Sequence, residues 1–295
     1  MMRSPKRFRE VCVVTSVHPA FDTRIFHRES KTLADAGYKV TLIAQHDRNE
    51  VVKGIKIVAL HRPRNRFTRV FGLTWRAFGL ARKQRASVYH LHDPELIPIG
   101  ILLKIMTRGK IIYDVHENVT GQILEKTWLP RCLRRPVKNL YALFEQFASR
   151  FFDAIVVAAE DIAVRFHRKP VVIVHNYPLL EWTEGCSVFK GSKSAPEVIY
   201  IGTLDRSYGI EEIVRAIRYL KSDVHLVMIG VFKDIDFERR IHRLADNRIT
   251  IESWLRHDKI LERLRTADIG LICPLPTPNN IQAAGRSRTL YEYMG

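Results

Sequence analysis

Lys110-Ile111-Ile112-Tyr113-Asp114-Val115-His116-Glu117-Asn118 begins as an apolar run and ends in titratable groups. Ile111, Ile112 and Val115 give the near-continuous hydrophobicity of a parallel strand covered on both faces. His116, Glu117 and Asn118 then fall just past the strand's carboxyl end, where open α/β sheets bind ligands. A histidine and a carboxylate at that place are candidate acid–base groups. The competing reading is a loop around a histidine satisfied by its neighbours.

The flanking segments repeat the pattern. Val11 to Val17 is a short β-branched run, followed by a His18-to-Arg24 loop and a helix from about Thr23 to Ala36 that Gly37 stops. Lys39–Ala44, Ile55–Leu60 and Ser87–Leu91 read as further strands, with a helix from Pro94 to Thr107 leading into the opening strand. A long helix Arg131–Phe152 and strands Ala154–Ala158 and Val171–Val174 follow. Strand–helix–strand alternation with short loops is the signature of a parallel sheet. Periodicity lapses over 179–195, the expected linker between a domain 1–178 and a domain 196–295. The second domain repeats the alternation from Val198–Gly202 through helix Ile210–Leu220 to a strand at Ile269–Cys273. The fold class is therefore α/β, with two Rossmann-like parallel-sheet domains facing across a cleft. The second domain, with four strands and a last helical segment at Arg288–Met294, is expected to be incomplete by about two βα units.

Charge narrows the partners. Of the net +17, +14 falls within residues 1–185, which favours an anionic partner. His61 to Ala86 carries eight Lys/Arg and no acid, interleaved with Phe67, Phe71, Trp75 and Phe78. Such a segment suits an anionic membrane surface through residues 62–85; the plainer alternative is a helix packed on the sheet with a solvated basic face. No RNP, helix-turn-helix, KH or zinc-finger pattern accompanies the charge, so nucleic acid is not expected. The cysteines Cys12, Cys132, Cys186 and Cys273 are scattered without a C-x-x-C pair, which implies reduced thiols. No apolar run reaches the roughly 20 residues a spanning helix needs. A cytoplasmic protein, peripheral at the inner face of the plasma membrane, is expected.

Metal sites are not expected. His90 and His92 share a strand face but no third ligand lies near in sequence, so strand-end packing is preferred. Asp234-Ile235-Asp236 is a D-x-D triplet, better explained as carboxylates opening a helix.

Several stretches together resemble the retaining glycosyltransferases of family 4. They are the His18-x-x-Phe21-Asp22-x-Arg24-Ile25 loop, His90-x-His92-Asp93, Tyr113-Asp114-Val115-His116-Glu117, Asn176-Tyr177-Pro178, Tyr200-Ile201-Gly202-Thr203 and Leu290-Tyr291-Glu292-Tyr293-Met294. The similarity spans nearly the whole chain and is greatest to the bacterial subgroup that builds capsules, exopolysaccharides and lipopolysaccharide. The resemblance implies the two-domain GT-B fold. It implies transfer of a sugar from a nucleotide-sugar donor, with retention and without metal or cofactor, to a lipid-linked or saccharide acceptor.

Residue by residue, the resemblance makes His116 the cleft histidine that contacts the donor sugar, with Glu117 and Asp22 as further catalytic candidates. Gly202, Thr203, Arg206, Asn280, Arg288 and Glu292 are donor-binding candidates. Glu292 matches the second glutamate of an E-x7-E motif and would accept hydrogen bonds from ribose hydroxyls. Arg206, the basic residue of the Thr203-to-Gly209 loop, would face the diphosphate beside the N-terminus of helix Ile210–Leu220. Its plainer reading is a surface arginine in a turn. His18, Arg24, His92 and Asp93 would line the acceptor side; for Asp22 and Arg24 the alternative is that they pair and cap a helix. The chain departs from the family pattern at Ala284, where the first glutamate of E-x7-E would fall, and in the first loop, where His18 to Arg24 replace a glycine pair. A nucleotide-sugar epimerase of the same fold and a truncated, non-catalytic membrane- or acceptor-binding protein are the competing functions.

Overall fold

The computed structural model describes residues 10–62, 65, 68–116, 118–126, 128–166, 169–177, 195–255, 257–277, 280, 289 and 293. The chain forms two compact units, 1–176 and 177–295. The expected linker at 179–195 lies almost wholly outside the described residues.

The first unit is an eight-stranded sheet. In chain order its strands are β1 (Glu10–Pro19), β2 (Lys39–Gln45), β3 (Glu50–Val52), β4 (Ile55–Leu60), β5 (Val88–Leu91), β6 (Lys110–Val115), β7 (Ala154–Val157) and β8 (Val171–Ile173). They lie in the order β3-β4-β2-β1-β5-β6-β7-β8, all parallel except the β3–β4 hairpin. Sequence periodicity alone missed β3, whose turn places Lys53 and Gly54 at positive φ. Alternate β1 residues feed opposite cores: Cys12 and Val14 pack with Ile43 and Tyr89, while Val11 and Val13 pack with Leu42 and Ile57. That two-sided burial is why these strands read as unbroken apolar runs. Sequence-consecutive β1 and β2 pair on one side, and β5 pairs with β1 on the other. The resulting switch point lies at the carboxyl ends of β1 and β5, the place such sheets leave open for ligands.

Helices cover the faces: α1 (Lys31–Asp35), α2 (Thr74–Gln84), α3 (Ile97–Met106), α4 (Val119–Glu125), α5 (Arg131–Ser149) and α6 (Glu160–Ala163). The expected helix from Thr23 divides into a π-helical turn, Ile25–Ser30, and the short α1, which ends before Gly37 at φ +86°. The basic α2 buries Thr74, Ala77 and Ala81 against the sheet and leaves Trp75 exposed, which is the packing reading of the 62–85 segment. Arg64, Arg66, Phe67 and the side chains of Arg69 and Phe71 lie outside the described residues.

The second unit is a four-stranded parallel sheet. Its strands β9 (Glu197–Ile201), β10 (His225–Ile229), β11 (Ile249–Glu252) and β12 (Ile269–Gly270) lie in the order β11-β10-β9-β12. Among the described residues, helices α7 (Ile210–Tyr219), α8 (Ile235–Leu244) and α9 (His257–Leu264) accompany it. Asp234 caps α8, its Oδ1 accepting from the amides of Asp236 and Phe237 at 2.8 and 2.9 Å, which accounts for the D-x-D triplet. No described helix is long and apolar enough to cross a membrane. Cys12 is buried and its thiol is pushed up to about 12 by desolvation, while Cys132 and Cys273 are exposed free thiols.

Candidate functional site

Three strand ends and one loop build a polar cluster in the first unit. Pairing in register, β5 sets His90 beside Ile112 of β6, so His92 and Asp114 emerge next to each other. The π-helical turn does the rest. The Glu29 amide donates to the Arg24 carbonyl, a five-residue step, so side chains five apart fall on one side. Arg24 Nε therefore lies 2.8 Å from Glu29 Oε1, and its Nη2 donates to both oxygens of Asp114 at 2.9 and 3.2 Å. Its Nη1 donates to the Val174 carbonyl at 3.1 Å. Arg24 is only 5% exposed and Asp114 is fully buried.

Burial opposes every charge in this cluster, and the pairings decide which charges survive. Desolvation would raise Asp114, but contacts from His116 and His90 and the Arg24 charge hold it well below the usual carboxylate range. Glu29 is pushed up to about 9 by burial and by the neighbouring Asp114 charge. One proton thus stays on Glu29 at neutral pH, leaving Asp114 ionised against Arg24. His92, fully buried and next to His90, is driven well below its normal value and is neutral.

Above this layer sit the partly exposed groups. His116 Nδ1 lies 3.4 Å from Asp114 Oδ1, and its Nε2 lies 3.3 Å from His18 Nε2. His18 is also 3.6 Å from both Asp22 Oδ2 and Asp93 Oδ1. Burial pushes Asp22 up, yet its bond with His18 and the amides of Ile25 and Arg24 outweigh that, and it titrates well below normal. Its Oδ1 accepts from those two amides at 3.0 and 2.9 Å. Asp22 therefore caps the turn and fixes His18, a positioning role, and it does not take Arg24 as its side-chain partner.

The sequence-predicted residues of the first unit are brought together, but in two tiers. His18, Asp22 and His116 face partly outward; Arg24, His92 and Asp93 lie beneath them. Asp93 is 2% exposed, and its Oδ2 accepts from Thr15 Oγ1, Ser16 N, Ser16 Oγ and Val17 N at 2.6–3.2 Å. Arg24, His92 and Asp93 thus hold the strand ends in place instead of lining an open surface. Glu117 lies outside the described residues. Glu29 and Asp114 had no role assigned from the sequence, and His90 only strand-end packing or a cleft wall shared with His92. The available signal was the i, i+2 spacing of Asp114 with His116 and of His90 with His92, which aims each pair to one side.

Glu29, His90, His92 and Asp114 offer ligand atoms that all lie within 4.8 Å of one another. The third ligand that sequence proximity did not supply to the histidine pair thus comes from distant segments. Arg24 already provides the counter-charge to Asp114, the ionised carboxylate of the group, that a divalent cation would otherwise bring.

In the second unit, Gly202 and Thr203 follow β9, and Tyr200 Oη donates to the Thr203 carbonyl at 3.0 Å. Arg206 stands in a turn with its guanidinium 4.6 Å from the centre of the Phe237 ring. Contact with a ring face uses none of its N–H donors. Gly209 then opens α7 at φ +70°, where a Cβ would come within 2.2 Å of the Cys273 carbonyl oxygen, so only glycine fits. Asn280 is buried, and its Nδ2 donates to the carbonyls of Ser207 and Leu275 at 2.7 and 3.0 Å. It braces the Arg206 loop from behind and does not present its amide to a diphosphate. Arg288 and Glu292 lie outside the described residues.

The glycosyl transferase 4-like domain profile matches residues 23–176, just over half of the chain. No curated protein matches the sequence. Among solved structures, a sucrose-phosphate synthase from Thermosynechococcus elongatus is similar over 92% of this chain and 76% of its own, with TM-score 0.68 and 15% identity. Anabaena HepE in complex with UDP and glucose matches at TM-score 0.65 and 10% identity, over 92% of this chain and 76% of its own. WaaG, a glycosyltransferase involved in lipopolysaccharide biosynthesis, matches at TM-score 0.61 and 15% identity, over 89% of this chain and 74% of its own. At such identities the structures speak for the fold, which is GT-B. The profile match covers the turn that carries Arg24 and Glu29 and the strand ends that carry His90, His92, Asp114 and His116, and by that match the chain belongs to the glycosyl transferase 4-like family and is a glycosyltransferase.

Proposed function

We propose that the chain moves a sugar from a nucleotide-diphosphate sugar to a saccharide or lipid-linked acceptor, with retention at the anomeric carbon, in the synthesis of a surface polysaccharide. The observation that carries this reading is the outward pair His116 and His18, set at the carboxyl ends of an apolar sheet over a charge cluster that fixes them. The binding of UDP and glucose by HepE supports a nucleotide-sugar donor, and the role of WaaG supports a surface polysaccharide.

As the glycosidic bond to the diphosphate breaks, positive charge grows on the sugar ring and negative charge on the departing oxygen. His116 suits the sugar side. Asp114 lies against its Nδ1 and favours the tautomer with the proton there, and a sugar hydroxyl would replace the contact its Nε2 makes with His18 Nε2. Arg206 and the N-terminal amides of α7 suit the diphosphate, since both present fixed positive charge without a proton to transfer. The reading calls on no metal for this step. The test is a panel of nucleotide-diphosphate sugars assayed for sugar transfer and for nucleotide release. Release without any acceptor, accompanied by an altered free sugar, would point instead to an epimerase.

A further inference from the structure

The basic segment 62–85 ends in charge that the fold leaves unanswered. Arg82, Lys83 and Arg85, at the carboxyl end of α2, meet Arg108, just past α3, around a groove of about 1030 Å³. All four are exposed, and none makes an ion pair or a side-chain hydrogen bond with another described residue. No carboxylate lines the groove. Cations nearby are treated differently. Lys39 pairs with Glu10 at 2.9 Å, and Lys104 and Lys110 pair with Asp153 at 2.7 and 2.9 Å. The helix ends explain only part of the excess. Each carries roughly half a negative charge, about one for the two together, so about three of the four positive charges stay uncompensated. Arg85 also holds a left-handed φ of +50° at the C-cap of α2, where glycine is the ordinary residue. Phe78 and Met106 add apolar lining. Tyr89, fully buried, lines the groove as well, and its Oη has no hydrogen-bond partner among the described residues.

We propose that this groove binds an organic polyphosphate, a small anion with two or more phosphate groups. Charge sets the number of phosphates: a single one would leave part of the excess unanswered, and arginine forks suit phosphate oxygens. Size sets the class, since small-molecule sites run to roughly 1,000 Å³. Phe78 and Met106 take the organic part. A nucleic acid would call for cations tracking along its backbone; here they are gathered around one groove. Ser87 and Gly109 of the lining precede β5 and β6, so the groove lies at the amino-terminal ends of those strands. The candidate site lies at their carboxyl ends. Six residues of β6, at about 3.3 Å each, put roughly 20 Å between the groove and His116. The ligand is therefore distinct from the transferred sugar, and the proposal is independent of the proposed sugar transfer.

The experiment is calorimetric titration of the full chain with inorganic triphosphate, with inorganic phosphate beside it. Arg82→Ser/Arg108→Ser and Arg206→Ala variants are run in parallel, with circular dichroism melts on each. Both groove positions are exposed and make no side-chain bond, so the fold should persist. Vesicles containing phosphatidylglycerol and an RNA duplex are tested alongside. Triphosphate bound more tightly than phosphate, weakened at least about tenfold in the groove variant and by added salt but kept in Arg206→Ala, supports the proposal. No triphosphate binding, or equal binding by the groove variant and the parent, overturns it. Binding lost in Arg206→Ala and kept in the groove variant overturns it too, and places the anion at the proposed donor site. Vesicle or RNA binding that the groove variant loses, without triphosphate binding, overturns it in favour of a macromolecular partner.

Discussion

Replacing Arg24 with alanine removes the one cation that touches both carboxylates of the buried cluster. Asp114 is fully buried and ionised, and two of its close contacts come from Arg24. Stranding a buried charge in this way costs about 3–5 kcal/mol. For a unit of this size, each kcal/mol lowers the midpoint by roughly 2–4 °C, so the loss should be on the order of 6–20 °C. The loss should also depend on pH. Without Arg24, Asp114 regains a higher pKa and can take up a proton, so the variant should recover stability as the solution is acidified. Arg24→Met combined with Asp114→Asn removes both charges and should cost clearly less than Arg24→Ala alone. Urea denaturation followed by circular dichroism, at neutral and mildly acidic pH, measures all three. An Arg24→Ala loss below about 1 kcal/mol, the range of a surface pair, would refute the buried-cluster reasoning.

Glu29 has its pKa raised from 4.5 to about 9, so the stability its neutral form contributes is complete below 4.5 and is lost as pH rises toward 9. Glu29→Gln keeps a neutral side chain and should flatten the stability profile across that window in urea titrations; parallel profiles would contradict the assignment. Gly209→Ala forces a side chain into positive φ and onto the Cys273 carbonyl, and should cost on the order of 1–3 kcal/mol in thermal melts of the second unit's signal. Arg206→Ala should weaken nucleoside-diphosphate affinity about tenfold by calorimetry, a change of about 1.4 kcal/mol. Its loss of stability should stay under about 1 kcal/mol, the value of an exposed cation–π contact.

The parallel sheets were legible because strands covered on both faces are largely apolar, as residues 11–14 and 111–113 are. The hairpin β3 was not legible, because Glu50-Val51-Val52 offers neither alternation nor a full run and is held by edge pairing with β4. At the site, His116 could be read from its place after a strand. The Arg24–Glu29–Asp114 cluster could not, since it depends on a π-helical turn that brings residues five apart together, where helical periodicity expects three or four. The structural bonds of Asp93 and Asn280 were hidden for a related reason. Polar residues beside a ligand loop resemble ligand contacts in sequence, and only the bonds to Ser16 and Ser207 reveal them as braces.

The central claim is that His116 serves sugar transfer from a nucleotide donor. The decisive measurement is the rate of transfer by the parent protein and by His116→Ala, over a panel of nucleotide-diphosphate sugars with a saccharide or lipid-linked acceptor. The parent should transfer sugar from at least one donor, and the variant should be slowed at least about 100-fold while its melting curve and nucleotide affinity hold. A variant as fast as the parent, or a parent that transfers no sugar from any donor, would contradict it.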